Sequence, residues 1–405
     1  MIKKSLFIFL LIAISCSKKD VFEAEKQTII NPIAKCENGF AGEFPCNGYD
    51  LLTHITLEEI AGENTEGNDS WGWVDPVTKS EYALMCTNKG VSFIDITNPA
   101  EARIIGFLKS RTENSPWRDV KIYNDIAYIV SEATDHGMQI FNLNRLREVI
   151  VTPVEFTSDK DYTGFGSAHN IVINEAEGYA YPVGTSRSGT YKGGPLFINI
   201  QDPFMPVEEG GFLNYAHDAQ VVTYNGPDTD YTGKEILIGS NETEVVLVDV
   251  TDKENPTKIS SISYANIGYT HQGWFTEDFN YFILGDELDE RDKGLNTRTI
   301  IFDFTDLDNP IHHFNYSGKT AAIDHNGYVK GNLFFQANYT AGVRIIDISN
   351  IGNKSFTEVG FFDTYPENDN TAFSGAWNVY PYLPSGNIIV SDIKRGLFVI
   401  RKSKT

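Results

Sequence analysis

Apolar residues along this chain seldom recur at the spacing of an amphipathic helix. They alternate with polar residues or run together in short blocks, the signature of β-strands. One phrase returns: an apolar strand ending in Asp or Asn, then a polar turn often finished by Asn-Pro. Its first copy is Gly90-Val91-Ser92-Phe93-Ile94-Asp95-Ile96-Thr97-Asn98-Pro99, and others occupy residues 137–143, 195–200, 245–250, 299–304, 343–348 and 396–400. That makes seven. Two further strand-like runs precede each copy, as in Val120-Lys121-Ile122-Tyr123 and Ile126-Ala127-Tyr128-Ile129-Val130, with Asn124-Asp125 as the tight turn between them. A fourth run follows the turn, for example residues 103–108 or 356–361. Pro99, Pro256 and Pro310 suit these turns because a turn proline needs no ladder hydrogen bond. Four strands repeated about every fifty residues predict the blades of a β-propeller.

The two ends of the array predict how the ring closes. The last unit stops at Arg401-Lys402 after its third strand, while one orphan strand, residues 51–57, stands before the first unit. An N-terminal strand completing the last blade locks the ring and removes the exposed edges of an open array. The expectation is an all-β, seven-bladed propeller of four-stranded blades over residues 51–402. A length of 405 residues alone would suggest two or three domains; the repetition argues for one.

The N-terminus carries an export pattern. Lys3 and Lys4 precede an apolar run over residues 6–14 that is too short to span a bilayer, and Ala13-Ile14-Ser15-Cys16 follows the form of a bacterial lipobox. Residues 1–15 are thus expected to be a lipoprotein signal peptide, with Cys16 as the lipidated residue. An ordinary secretory signal is the alternative. Residues 16–35 read as a polar tether. Cys36 and Cys46 are spaced for a disulfide closing a leading segment over residues 36–50, two free thiols being the alternative, whereas Cys86 lies in an apolar run and reads as a buried thiol. A formal charge of −22 repels phosphate backbones, so nucleic acid is excluded as a partner. The expected protein is a monomer anchored through Cys16 at the outer membrane or cell surface, meeting an extracellular ligand or protein.

The repeated Val/Leu-Ile-Ile/Val-Asp-Ile-Thr/Ser-Asn-Pro phrase resembles the LVIVD repeat. With the leading passage Cys36…Phe44-Pro45-Cys46-Asn47-Gly48-Tyr49-Asp50-Leu51-Leu52, the chain from residue 36 to 402 resembles the "choice-of-anchor B" family of secreted or lipid-anchored bacterial proteins. That resemblance implies a propeller and a surface location, and brings no established reaction.

Aligning the units on their Asp-Ile phrases puts seven residues in one column: Trp71, Trp117, His169, His217, His271, His325 and Trp377. Four of the chain's eight histidines fall there. The residues that follow are polar: Arg118, Asn170, Asp218, Gln272, Asn326 and Asn378. Since the first strand of a blade lines the central channel, the column is expected to ring one mouth. The antiparallel second strand ends beside it, bringing in pairs such as Ser131-Glu132 and Asp286-Glu287. Three readings fit. The rings can be inter-blade packing that each repeat inherits. The ring, with Asp218 and Asn326, can hold a polar ligand or a sugar. Or His169, His217, His271 and His325 with Asp286 can hold a divalent metal ion, imidazole and carboxylate being fitting ligands.

A non-enzymatic binding module is the first functional expectation. A metal-dependent hydrolase or lyase, with Glu132 or Glu287 as base, is the alternative. Aromatics in predicted loops, among them Tyr215, Tyr269 and Tyr339, suit stacking on a ligand or filling between blades. The acidic run over residues 286–292 lacks the spacing of a calcium loop and reads as a solvated loop. Neither a glycine-rich phosphate cradle nor a Gly-x-Ser-x-Gly elbow is present.

Overall fold

The structure, a computed structural model, describes residues 33–404. The expected signal peptide, the expected lipidation site Cys16 and most of the expected tether lie outside the described residues. Among the described residues, no helix is long and apolar enough to cross a membrane.

Each repeated phrase forms the third strand of an antiparallel sheet, and seven such sheets follow one another along the chain. These strands are mainly apolar and buried because both of their faces are covered by neighbouring blades. In Val245–Asp249, for instance, every residue but the last is buried. The recurring Asp or Asn has a local cause. Its side-chain oxygen accepts a hydrogen bond from the amide two residues on, at 2.8–3.1 Å, in Asp95, Asn142, Asn199, Asp249, Asp303 and Asp347. This Asx turn reverses the chain toward the outer strand. The seventh copy ends in Ile400-Arg401 instead, and among the described residues no outer strand follows it.

That missing strand comes from the N-terminal side. Tyr49–Ile55 pairs antiparallel with Gly396–Lys402, from Tyr49↔Lys402 to Ile55↔Leu397, so the last blade is built from both ends of the chain. The expected seven-bladed, closed ring is what the structure shows. The strand begins at Tyr49 and is followed by a short helix, Leu57–Ala61, started by a reciprocal Thr56–Glu59 capping box. The Cys36–Cys46 disulfide is formed, and Cys86 is buried and unpaired. The leading segment does more than close a loop. Phe44–Asn47 pairs with Ser355–Phe362 and adds an outer strand to the sixth blade.

The channel is held by side chains that stitch each first strand to the next blade. Asp119 accepts from Ile171 N at 2.8 Å, Gln220 from Phe275 N at 2.9 Å, and Gln272 from Gly327 N at 3.0 Å. Asn378 Nδ2 donates to Ser70 O at 2.6 Å and so links the last blade to the first. Of the polar neighbours of the column, Gln272 and Asn378 are therefore structural. Asp218 is buried near Asp119 and Lys121, and burial first, then the charge of Asp119, lifts its carboxyl to about 7. Asn326 is likewise buried beneath the ring.

Candidate functional site

Six of the seven column residues meet at one mouth of the channel, where a pocket of about 530 Å³ is lined by Trp117, His169, His217, His271, His325 and Trp377. Trp71 is elsewhere. The first strand of its blade, Gly67–Val74, carries a bulge between the pairs Gly67↔Thr87 and Ser70↔Met85. The fifth blade has the same bulge between Thr270↔Asp286 and Gly273↔Leu284. In this pairing register Asn68 corresponds to His271, and Trp71 to Trp274. Both tryptophans line a second pocket, of about 610 Å³, at the far ends of the first strands. Counting back from the Asp-Ile phrase misplaced Trp71 because hairpin lengths differ between blades.

The four histidines form a continuous arc. Ring centroids are separated by 4.2 Å for His169–His217, 4.6 Å for His217–His271 and 4.4 Å for His271–His325, and Trp377 continues it 4.6 Å from His325. Hydrogen-bond partners fix the orientation of three rings. His169 Nδ1 lies 2.6 Å from a Glu132 carboxylate oxygen, His325 Nδ1 lies 2.6 Å from Trp377 O, and His217 Nδ1 lies 3.1 Å from the Tyr269 hydroxyl. A carbonyl and a carboxylate only accept, so Nδ1 of His325 and His169 is the donor. A neutral ring then keeps its lone pair on Nε2. Burial holds His217 and His271 well below the ordinary imidazole range, and His325 down at about 3. These three rings are therefore neutral at physiological pH. His217 Nε2 and His271 Nδ1 are buried and have no hydrogen-bond partner among the described residues.

A second carboxylate, Glu287, faces the arc. The two oxygens of Glu287 lie 3.7 Å from His271 Nε2 and 3.7 Å from His325 Nε2, and one accepts from the Tyr339 hydroxyl at 2.8 Å. Burial lifts Glu287 to about 7 against the opposing pull of that hydroxyl. His217, His271 and Glu287 each offer a ligand atom within 4.8 Å of the other two.

Asp286, its neighbour in sequence, points away. Its carboxylate accepts from Tyr269 N at 2.6 Å, Gly268 N at 2.8 Å and the Tyr264 hydroxyl at 2.8 Å. It organises the loop that presents Tyr269 and His271, and is no ligand of the mouth. The following acidic run is a short helix, Asp289–Lys293, rather than a solvated loop. Asp289 and Glu290 are buried and bind Arg298, the Nε of which donates to Asp289 at 2.5 Å. Sequence reading gave Tyr269 and Tyr339 only stacking or inter-blade filling, not the hydrogen bonds they make to His217 and Glu287. A usable signal was present for the first: Tyr215-Ala216-His217 and Tyr269-Thr270-His271 repeat a Tyr two residues before the ring histidine.

No family model and no curated protein matches the chain. Among solved structures, it is similar to a protein from Lactobacillus plantarum, with 13% identity, a TM-score of 0.51, and coverage of 80% of this chain and 87% of that one. At that identity the likeness speaks for the fold alone.

Proposed function

We propose that the chain is an exported, lipid-anchored binding module that takes a small polar ligand into its histidine-lined mouth. The carrying observation is a concave pocket of about 530 Å³ with buried imidazoles inside and aromatic faces at its rim. That volume suits a ligand of one or two sugar rings. A protein partner would need roughly 800 Å² of surface on each side. Trp117 and Phe373 are exposed at 42% and 44% and offer stacking faces, while the buried ring nitrogens offer hydrogen bonds to hydroxyls. Sugar-like molecules, with apolar faces and polar edges, match both. Export and anchoring rest on Lys3-Lys4, the apolar run and Cys16. The Cys36–Cys46 disulfide and the resemblance to anchored LVIVD-repeat proteins support that part.

Saturation-transfer NMR of the full chain against a panel of mono- and oligosaccharides tests the mouth. Binding is expected to fall about tenfold or more in Trp117→Ala; ligands that bind equally well to that variant and to His169→Ala would overturn the assignment. Incorporation of an azido fatty acid in a bacterial host should be lost in Cys16→Ser. Equal labelling of that variant would remove the anchor.

A further inference from the structure

The orphaned imidazoles ask for a more specific partner than a sugar hydroxyl. A buried ring nitrogen without a partner costs on the order of 1–3 kcal/mol, and the arc holds two, in His217 and His271. His217 is 7% exposed and His271 1%, so bulk water does not supply their hydrogen bonds directly. The surrounding contacts follow a pattern. Nδ1 of His169 is bound by the Glu132 carboxylate, Nδ1 of His217 by the Tyr269 hydroxyl and Nδ1 of His325 by a backbone carbonyl. His271 Nδ1 has no such contact, whereas the carboxylate and the carbonyl leave Nε2 of His169 and His325 as the lone-pair atom, and the Tyr269 oxygen does the same for His217 when it accepts from Nδ1. This is how proteins orient imidazoles toward a cation, with the outer nitrogen tied to an oxygen and the inner one presented.

We propose that His217, His271 and Glu287 bind one divalent transition-metal ion, zinc foremost, with a coordination position left open toward the pocket. The inference deepens the reading of the mouth as the ligand site and rests on that reading for the role of the open position. Two imidazoles and one carboxylate are the donor set of zinc sites that keep a place for water or substrate. The mutual separations, within 4.8 Å, are wider than a closed coordination shell and require only small side-chain movement to contract. His325 Nε2, 3.7 Å from the far oxygen of Glu287, stands next in line as a fourth donor. A bound ion would present its open face to hydroxyl or carboxylate oxygens of whatever enters, fixing the ligand by coordination as well as by stacking.

The second cluster of acids, Asp228, Asp306 and Asp308, does not compete on these terms. Two of its carboxylates already cap backbone amides, Asp228 at Leu307 N and Asp306 at Asp308 N, and two of the three residues are exposed.

The test uses the detergent-solubilised full chain, stripped with EDTA and titrated with zinc alone, with no organic ligand present. One equivalent should bind in competition with a chromophoric chelator of micromolar affinity. His217→Ala and Glu287→Gln should each weaken binding about 100-fold or more, and Tyr269→Phe, which removes an orienting contact, about tenfold. Asp306→Asn should bind as the parent does. X-ray absorption at the zinc edge of the parent should show imidazole scattering, a readout that needs no variant to fold. Absence of stoichiometric zinc, an all-oxygen shell, or affinity unchanged in both His217→Ala and Glu287→Gln would overturn the site. Because these readouts omit any organic ligand, they fail separately from the Trp117→Ala experiment on ligand binding.

Discussion

Two buried histidine neighbourhoods in this protein start from the same residue type and end differently. His136 sits between the first two blades. Its Nδ1 donates to Gly137 O at 3.0 Å, and its Nε2 faces Arg118 Nη1 at 3.0 Å. Both ring nitrogens are engaged. His217 and His271 are as well enclosed, yet each keeps one ring nitrogen with no partner among the described residues. Burial keeps all three neutral, with His136 down at about 4 through burial first and the adjacent Arg118 guanidinium second. The contrast separates a histidine that completes a structure from histidines that await something. Burial and lowered basicity are common to both; the state of the last nitrogen is what distinguishes them.

The largest effect expected is one that takes both neighbourhoods down together. His325 is tied to the last blade through Trp377 O, and Arg118 to the first through Thr87 O at 3.1 Å. Deleting residues 47–60 removes the strand that completes the last blade, and exposes the edge of Gly396–Lys402. Loss of the cooperative melting transition is expected. A truncated chain that melts with the parent would show that the ring holds without its clasp.

The next effect separates them. His136→Leu leaves Arg118 with one neutral acceptor fewer. That guanidinium is almost wholly buried, and burial lowers it to about 10. Thr87 O and Ser110 Oγ are its remaining partners. A lost hydrogen bond to a buried charged group costs roughly 1.5–3 kcal/mol, measurable by urea denaturation at neutral pH. A variant as stable as the parent would mean that Arg118 finds another acceptor, and that the niche is no more complete than the mouth.

The fold was more legible than the site, for a physical reason. Asx turns, Asn-Pro turns and the orphan strand are local, so the repeat number and the closure could be read without register. The site depends on which way a side chain points, and in a strand that flips with every residue. Asp286 and Glu287 are adjacent, and only the second faces the arc. Trp71 was misplaced because spacing from the Asp-Ile phrase ignores hairpin length and bulges. His136 lies outside the column, in a turn between Asp135 and Gly137, both with positive φ. Nothing in its sequence surroundings distinguishes it from a surface loop.

Acid sharpens the contrast further. His136 has a folded-state value of about 4, against about 6.5 when unfolded. Above pH 6.5 the ring is neutral in both states and its stabilising contacts are fully present. As pH falls from 6.5 toward 4 the unfolded chain gains the proton first, and that stability is lost. The loss is bounded at about 3 kcal/mol, since each pH unit between the two values is worth roughly 1.4 kcal/mol. His136→Gln cannot titrate. The parent's advantage over it in unfolding free energy should therefore shrink between pH 7.5 and pH 4.5. The same gap at both values would place the acid sensitivity of the protein in other groups.

The smallest effect is the most diagnostic. His271 packs between two other rings with one nitrogen unmatched, so replacing it by leucine removes a buried polar atom and keeps much of the apolar contact. In the EDTA-treated protein His271→Leu should change the unfolding free energy by less than about 1 kcal/mol, in either direction, since deleting an unsatisfied group offsets the loss of packing. In the presence of zinc the parent should gain stability by mass action while the variant does not. Histidine-to-leucine changes at positions 136 and 271 are thus the same chemical operation on two similarly buried rings. If they cost the same without metal, the distinction between an engaged and an unengaged imidazole fails, and with it the argument that the arc is built for a ligand.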